Sequence, residues 1–257
     1  MSYTLDRAVI PTLGHATRDE DVLDSFLLHR IGGVHISGGD EYESRMHHIA
    51  SSKRVAQKRG WDMPILLSLM GTAGYRALGK PCTEITTHIA SEDIANIDIG
   101  AEHDIQIIIL PPDISAVELL RIQGELQRRH YTPKIFLTVH DMRAIETLPT
   151  MLELCDGCIL NNFLLAKSVP LERIPRIEHS LIQQARLAHK NIYLSGNILS
   201  SMEENDMPHA GELAHIFHSM KNGASGVLLG KETSHGTYPV ESVKALHNLL
   251  IEVEQCM

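Results

Sequence analysis

The sequence predicts an α/β chain wound as a (β/α)8 TIM barrel, and three observations carry that reading. Short, almost uninterrupted apolar runs alternate with amphipathic stretches along the whole chain, the pattern of parallel strands covered by helices on both faces. Eight such units fit into 257 residues, a length that suits a closed barrel better than an open sheet. Helix-start signals follow the runs closely, as short βα loops require.

In chain order the predicted strands are Ala8–Thr12, Gly33–Ile36, Ile65–Leu69, Ile105–Leu110, Lys134–Val139, Cys158–Asn161, Asn191–Ser195 and Gly226–Leu229. Each is rich in β-branched or large apolar residues, which fit a pleated, buried surface. Thr17 with Glu20, and Ser115 with Glu118, have capping-box spacing, in which side chain and backbone satisfy each other at a helix start. The last helix begins at Tyr238-Pro239 and carries Val243, Leu246, Leu250 and Val253 on one face. With no linker and no low-complexity stretch, residues 1–257 are expected to form a single domain.

Composition narrows the function. A net charge of −9 argues against a general nucleic-acid surface, which needs basic clusters. No stretch reaches the roughly 20 apolar residues needed to cross a bilayer, and the opening MSYTLDRAVIP does not read as a secretory signal. Four cysteines make no disulfide framework, so the expected compartment is the cytoplasm. Cys155 and Cys158 form a lone CxxC at a strand start, read as structural. Of sixteen histidines, His29, His47, His48, His103, His189, His215, His218 and His247 are read as lying on solvated helix faces.

Barrel enzymes build their sites at the C-terminal ends of the strands. That rule gathers Thr12 and His15, His35 and Ser37, Met70 and Arg76, and Asp113. It also gathers Thr138, His140 and Asp141, then Asn161 and Asn162, Ser195 and Asn197, and finally Lys231, Thr233, Ser234 and His235. A guanidinium such as Arg76 matches carboxylate or phosphate geometry. Lys231, Thr233 and Ser234 stand after the eighth strand, where barrels often hold phosphate. Glu232 reads as a structural partner of a neighbouring cation. His140 beside Asp141 suits acid–base work. No metal ligand is assigned. The one cofactor the pattern leaves open is a divalent transition metal gathered by His15, His35 and His140, with His235 as a fourth.

These residues carry a resemblance. GKETSHGTYPVESV is similar to a Ser-Gly-Glu-Thr-Ala-x-Gly-x-Tyr-Pro-x-Glu-x-Val signature, keeping Glu232, Thr233, Gly236, Tyr238, Pro239, Glu241 and Val243. PTLGHATRDEDVLDSFLLHRIGGVHISGGDEYES keeps Gly14, Ala16, Ser37, Glu41 and Tyr42 in register with the first two βα units of the same family. SEDIANIDIGAEHDIQIIIL resembles its fourth unit, and LCDGCIL its sixth strand. The chain thus resembles the catalytic barrel of the pyruvate kinase family along essentially its whole length.

The resemblance also implies losses. The family's lid after the third strand is replaced by the short Ala77–Ala90 segment, and no C-terminal domain follows the eighth helix. The catalytic lysine of strand five aligns with Thr138, the first magnesium-binding glutamate with His140 and the metal-binding aspartate with Leu164. The strand-two Arg-x-Asn becomes Gly33 and His35, Asp-Thr after strand three becomes Leu69-Met70, and Thr-Gln of strand seven becomes Gly196-Asn197; Ser37 and Arg76 are kept. Phosphoryl transfer depends on metal ions and cationic side chains to neutralise charge, so pyruvate kinase activity is not expected.

The reading favoured is a divergent enzyme of lyase-like or other chemistry, with His140, Arg76, His35 and Asp141 as its catalytic candidates. It would bind a small anionic, phosphorylated or pyruvate-like metabolite through Ser37, Thr138, Asn161, Asn162, Ser195, Asn197, Lys231, Thr233, Ser234 and His235. The alternative is a non-catalytic metabolite sensor or scaffold. Further copies of the chain are an open partner; nucleic acid and membrane are not.

Overall fold

The computed structural model describes residues 8–29, 31–79, 89–112 and 114–256. Asp113, Cys82 and most of the segment read as replacing a lid therefore lie outside the described residues. In order the elements are β1 (Ala8–Pro11), α1 (Glu20–Phe26), β2 (Val34–Ile36), α2 (Tyr42–Lys58), β3 (Ile65–Ser68), α3 (Gly71–Ala77) and α4 (Ser91–Glu102). Then come β4 (Ile107–Ile109), α5 (Ala116–Arg128), β5 (Lys134–Val139), α6 (Met142–Glu153), β6 (Gly157–Asn161), α7 (Asn162–Ser168) and α8 (Ile174–Leu187). The chain continues with β7 (Asn191–Ser195), α9 (Ala210–Lys221), β8 (Gly226–Leu229), α10 (Lys231–Ser234) and α11 (Pro239–Gln255).

All eight strands run parallel in one sheet, ordered β1-β8-β7-β6-β5-β4-β3-β2. Bridges from Val9 to Ile31 and from Thr12 to His35 bring β1 against β2 and all but close the barrel. The expected (β/α)8 architecture is what the chain forms.

Side chains alternate across each strand, so the core has two compartments. Ala8, Ile10, Leu66, Ile107, Ile109, Phe136, Ile159, Tyr193 and Leu228 fill the lumen as one cluster. Their neighbours, such as Val9, Leu67, Ile108, Leu137 and Leu194, join the helices in a larger outer cluster. Large rings meet glycines in the lumen. Phe136 is in register with Gly157 and Tyr193 with Gly226. A Cβ on Gly226 would lie 2.2 Å from the Ala8 carbonyl oxygen and 2.7 Å from the Tyr193 ring, and one on Gly157 would lie 3.0 Å from the Phe136 ring. No other residue fits there. Complete burial of Phe136 contributes about 1.5–3 kcal/mol.

Three sequence expectations shift. The capping box at Ser115 and Glu118 forms, but Thr17 does not cap α1. Asp19 does, accepting from the Asp21 amide, while the Thr17 hydroxyl closes a short turn back onto Gly14. The fourth strand is shorter than its apolar run because the Ile105 amide bonds to Gly100, finishing α4 rather than joining the sheet. His48 is not solvated: it is fully buried on α2 with neither ring nitrogen hydrogen-bonded, and burial pushes it down to about 4. Cys155 and Cys158 are buried free thiols at the start of β6, pushed up to about 12 mainly by burial, as suits inert packing residues. No helix among the described residues is long and apolar enough to cross a membrane.

Candidate functional site

Moving two residues along from the lumen core defines the barrel mouth. Ile10 leads to Thr12, Leu66 to Ser68, Phe136 to Thr138, Ile159 to Asn161 and Tyr193 to Ser195. His35 pairs in register with Leu66 and so faces the same side. An uncharged polar ring therefore sits directly on the apolar plug. Ser195 and Thr12 are buried, the others half-buried. Leu69 is not part of it; its side chain packs in the outer core.

At the β1–β2 seam the Thr12 hydroxyl contacts His35 Nδ1 at 2.9 Å and donates to the Leu229 carbonyl. Burial lowers the His35 imidazole to about 4. The loop after β8 holds this seam from behind. Thr233 is fully buried; its Oγ1 accepts from the Thr12 amide at 3.0 Å and donates to the Thr12 carbonyl at 2.9 Å. Glu232 accepts from the Gly230 amide at 2.8 Å and the Leu199 amide at 3.0 Å, joining the ends of β8 and β7. Its partners are amides rather than the cation expected from sequence. Ser234 is buried and hydrogen-bonds His235 Nδ1 at 2.8 Å, and its carbonyl oxygen would lie 2.6 Å from any Cβ on Gly14. Thr233 and Ser234 thus face structure. Lys231 and His235 are exposed on the rim.

Across the mouth, the Thr138 hydroxyl donates to the Leu110 carbonyl at 3.0 Å. His140 Nε2 lies 3.6 Å from Asp141 Oδ2, while Asp141 Oδ1 caps α6 by accepting from the Ala144 amide at 2.7 Å. These three residues share a cleft of about 290 Å³ with Ser115 and Arg143, between β5, α6 and the start of α5. Asn161 caps α7 through the Leu164 amide and lies beside Ser195 in register. Gly196 must be glycine here: its φ is +83° and a Cβ would lie 2.4 Å from Asn161 Oδ1. Asn197 follows in left-handed backbone at φ 57° and is exposed.

The remaining candidates are dispersed. Ser37 Oγ accepts from the Gly39 amide at 3.2 Å. Arg76 lies on the exposed side of α3, and His15 is exposed after β1. Among the described residues no group of three or more histidine, cysteine or acidic side chains could hold a metal ion. The cluster of His15, His35, His140 and His235 left open by the sequence does not form. His35 and His140 belong to strands three places apart in the sheet, and the other two point to solvent.

Two polar networks escaped sequence reasoning. Beneath the β2 and β3 loops, buried Asp93 accepts from the Met70 and Gly71 amides at 2.9 and 2.8 Å and from the Tyr75 hydroxyl at 3.0 Å. Asn96 donates to the Gly38 carbonyl and to Tyr75. Burial raises both Asp93 and Tyr75, the latter also through the Asp93 charge. Asp93 and Asn96 stand three apart on the otherwise apolar buried face of α4, the one signal that could have revealed them.

The second network takes Asn162 away from the mouth. Its Nδ2 donates to Glu178 Oε2 at 2.7 Å, and Glu178 also accepts from His215 Nε2 at 2.9 Å and from the Ser219 hydroxyl. Glu178 interrupts the apolar stripe of α8. Burial pushes its carboxyl up, but bonds from His215, Ser219 and Asn162 outweigh this and hold it below its usual value. The bond to Glu178 raises His215 against its own desolvation.

The pair's contribution to stability therefore has two edges. The Glu178 part is present above the unfolded value of 4.5 and fades as pH falls through the lowered folded value. The His215 part is present below 6.5 and fades as pH rises through the raised one. His215→Gln is expected to lower the melting temperature most between about pH 4.5 and 6.5, with the deficit shrinking above that window. Thermal unfolding of both proteins across pH 4.5–9 checks this; a deficit independent of pH would show that charge plays no part.

The description "Pyruvate kinase, barrel domain" belongs to a family model that matches residues 73–243, more than half of the chain. The chain belongs to the pyruvate kinase family. It is 23% identical over 166 residues to plastidial pyruvate kinase 3, chloroplastic, of Arabidopsis thaliana, covering 65% of this chain and 29% of that protein. With pyruvate kinase of Thermotoga maritima it shares 24% over 181 residues, 70% of this chain and 39% of the relative. With that of Candida albicans it shares 25% over 186 residues, 72% and 37%. The chain thus spans well under half the length of these relatives.

Thr138 and His140, which the sequence resemblance would set opposite a lysine and a magnesium-binding glutamate, fall two residues apart at the end of β5, where Thr138 joins the mouth ring. Leu164, which the same resemblance would set opposite an aspartate, lies in the first turn of α7. The retained Glu232 and Thr233 do structural work, fastening β1, β7 and β8 together.

Proposed function

We propose that this pyruvate kinase-family barrel binds a small metabolite bearing a carboxylate or phosphate at the C-terminal mouth, and acts on it without transferring phosphate to ADP. One observation carries the reading: the ring of Thr12, His35, Ser68, Thr138, Asn161 and Ser195 is polar, uncharged and seated on the lumen plug. A barrel kept only for its shape has no need of six hydrogen-bonding side chains at that level. Lys231 and His235 on the rim, with Arg76 on the exposed side of α3, are groups suited to an anion. Lyase-like chemistry with His140 and Asp141 as the acid–base pair is the form of enzyme favoured.

A sensor or scaffold is the second reading. It is favoured by the internal use of several ring groups: Thr138 is spent on Leu110, and Asn161 on the start of α7.

A thermal-shift panel of small phosphorylated and carboxylated acids tests the mouth. At least one class is expected to raise the melting temperature, and Ser195→Val is expected to weaken its binding by about 10-fold through one lost hydrogen bond. No stabilisation by any member, or unchanged binding by the variant, would sink the reading.

A further inference from the structure

The proton position on His35 follows from what its neighbour Thr12 must do. The Thr12 hydroxyl has a single hydrogen and touches two partners, the Leu229 carbonyl and His35 Nδ1. A carbonyl oxygen can only accept, so that hydrogen goes to Leu229. The 2.9 Å contact with His35 must then be a bond in which Nδ1–H donates to the Thr12 oxygen. A neutral imidazole protonated at Nδ1 leaves a bare lone pair on Nε2. Nε2 is covered and has no hydrogen-bond partner, although the ring as a whole is partly open to solvent. Its strand partner Leu66 belongs to the lumen plug, so the imidazole faces the lumen, and the bridge to Thr12 sets it against the mouth ring.

The arrangement is held from three strands. Thr12 is clamped by Thr233, and Thr233 is carried by the loop after β8. The imidazole cannot turn to donate from Nε2 without losing the Thr12 bond. A buried acceptor without a donor is costly, and a ligand that brings a donor removes that cost while one that brings only acceptors does not.

We propose that His35 Nε2 is a fixed hydrogen-bond acceptor at the base of the mouth, selecting hydroxy- or amino-carboxylates over keto acids and enol phosphates. The proposal rests on the mouth being a ligand site, and adds the class of ligand. It also changes the part His35 plays. With the imidazole pushed down to about 4 by burial, it is a feeble proton acceptor at neutral pH, so it orients and discriminates rather than abstracting a proton.

Two measurements test it. Long-range ¹⁵N–¹H correlation spectra at pH 7, with His35 assigned from the His35→Gln spectrum, are expected to show Nδ1 protonated and Nε2 bare. A proton on Nε2 would overturn the proposal whatever binds in the mouth. The second is calorimetric binding of matched acids: lactate against pyruvate, malate against oxaloacetate, and 2-phosphoglycerate against phosphoenolpyruvate. The hydroxyl-bearing member of a pair is expected to bind about 10- to 100-fold tighter, and His35→Gln and Thr12→Val each to erase most of that ratio. Equal binding within every pair overturns the selectivity and leaves the mouth as a site; binding of no member of any pair overturns both. If Thr12→Val fails to fold, the wild-type ratio and the spectra decide; if His35→Gln fails to fold, the wild-type ratio decides.

Discussion

Mixed with phosphoenolpyruvate, ADP and Mg²⁺, the protein is expected to form no pyruvate above the buffer blank. The resemblance read from the sequence would set Thr138, His140 and Leu164 opposite a lysine, a glutamate and an aspartate, and the structure places Thr138 in the mouth ring with His140 just past the end of β5. A hydroxyl, an imidazole and an isobutyl group cannot gather Mg²⁺, which demands oxygen ligands. Nor can they neutralise the charge on a transferring phosphoryl group. Loss of one electrostatic stabiliser costs about 10²–10³ in rate. Three acting as a unit lose less than the product of their separate effects, so the expected deficit is at least about 10⁴. Thr138→Lys alone is expected to restore nothing, because the metal still has no carboxylates. A lactate dehydrogenase-coupled assay reads the result, and robust turnover would mean that strand five is aligned wrongly.

The second large effect concerns stability. Glu232→Ala is expected to cost about 2–5 kcal/mol, because it strands the buried Gly230 and Leu199 amides without an acceptor. In a domain of this size that is roughly 5–15 °C in melting temperature. Glu232→Gln retains one acceptor oxygen and is expected to lose about half as much. Thr233→Val, which removes the clamp on Thr12, belongs in the same range. Thermal and denaturant unfolding measure all three. A Glu232→Ala protein within about 1 kcal/mol of wild type would show that the loop after β8 does not hold the barrel shut.

That result would explain why a phosphate-family signature persists here. Its glycines, threonine and glutamate fasten one end of the sheet to the other, a task indifferent to the chemistry in the mouth. In sequence the stretch Lys231–His235 reads as an anion loop because it shows residue types without their directions. Folding turns Thr233 and Glu232 inward onto backbone and leaves Lys231 and His235 outside.

The barrel itself was legible because parallel strands buried on both faces must be apolar throughout, and eight such runs leave few architectures open. The ring was nearly legible too, since period-two alternation carries each lumen residue to a mouth residue two places on. Less visible were the interior polar groups. Asp93, Asn96 and Glu178 each occupy the apolar face of a helix, and a single polar residue there has no neighbour in sequence to announce its partner.

By itself, then, the sequence determined the strand count, the parallel order and which ends carry polar chemistry, because those follow from local periodicity and burial. Only the tertiary structure decided that four histidines stay apart, that Asn162 turns outward to Glu178, and that the Thr12 hydroxyl meets both His35 and the Leu229 carbonyl. The reason is geometric. A hydrogen bond depends on direction and on which partner already holds the proton, and residues 23 or 217 positions apart acquire both only when the barrel closes.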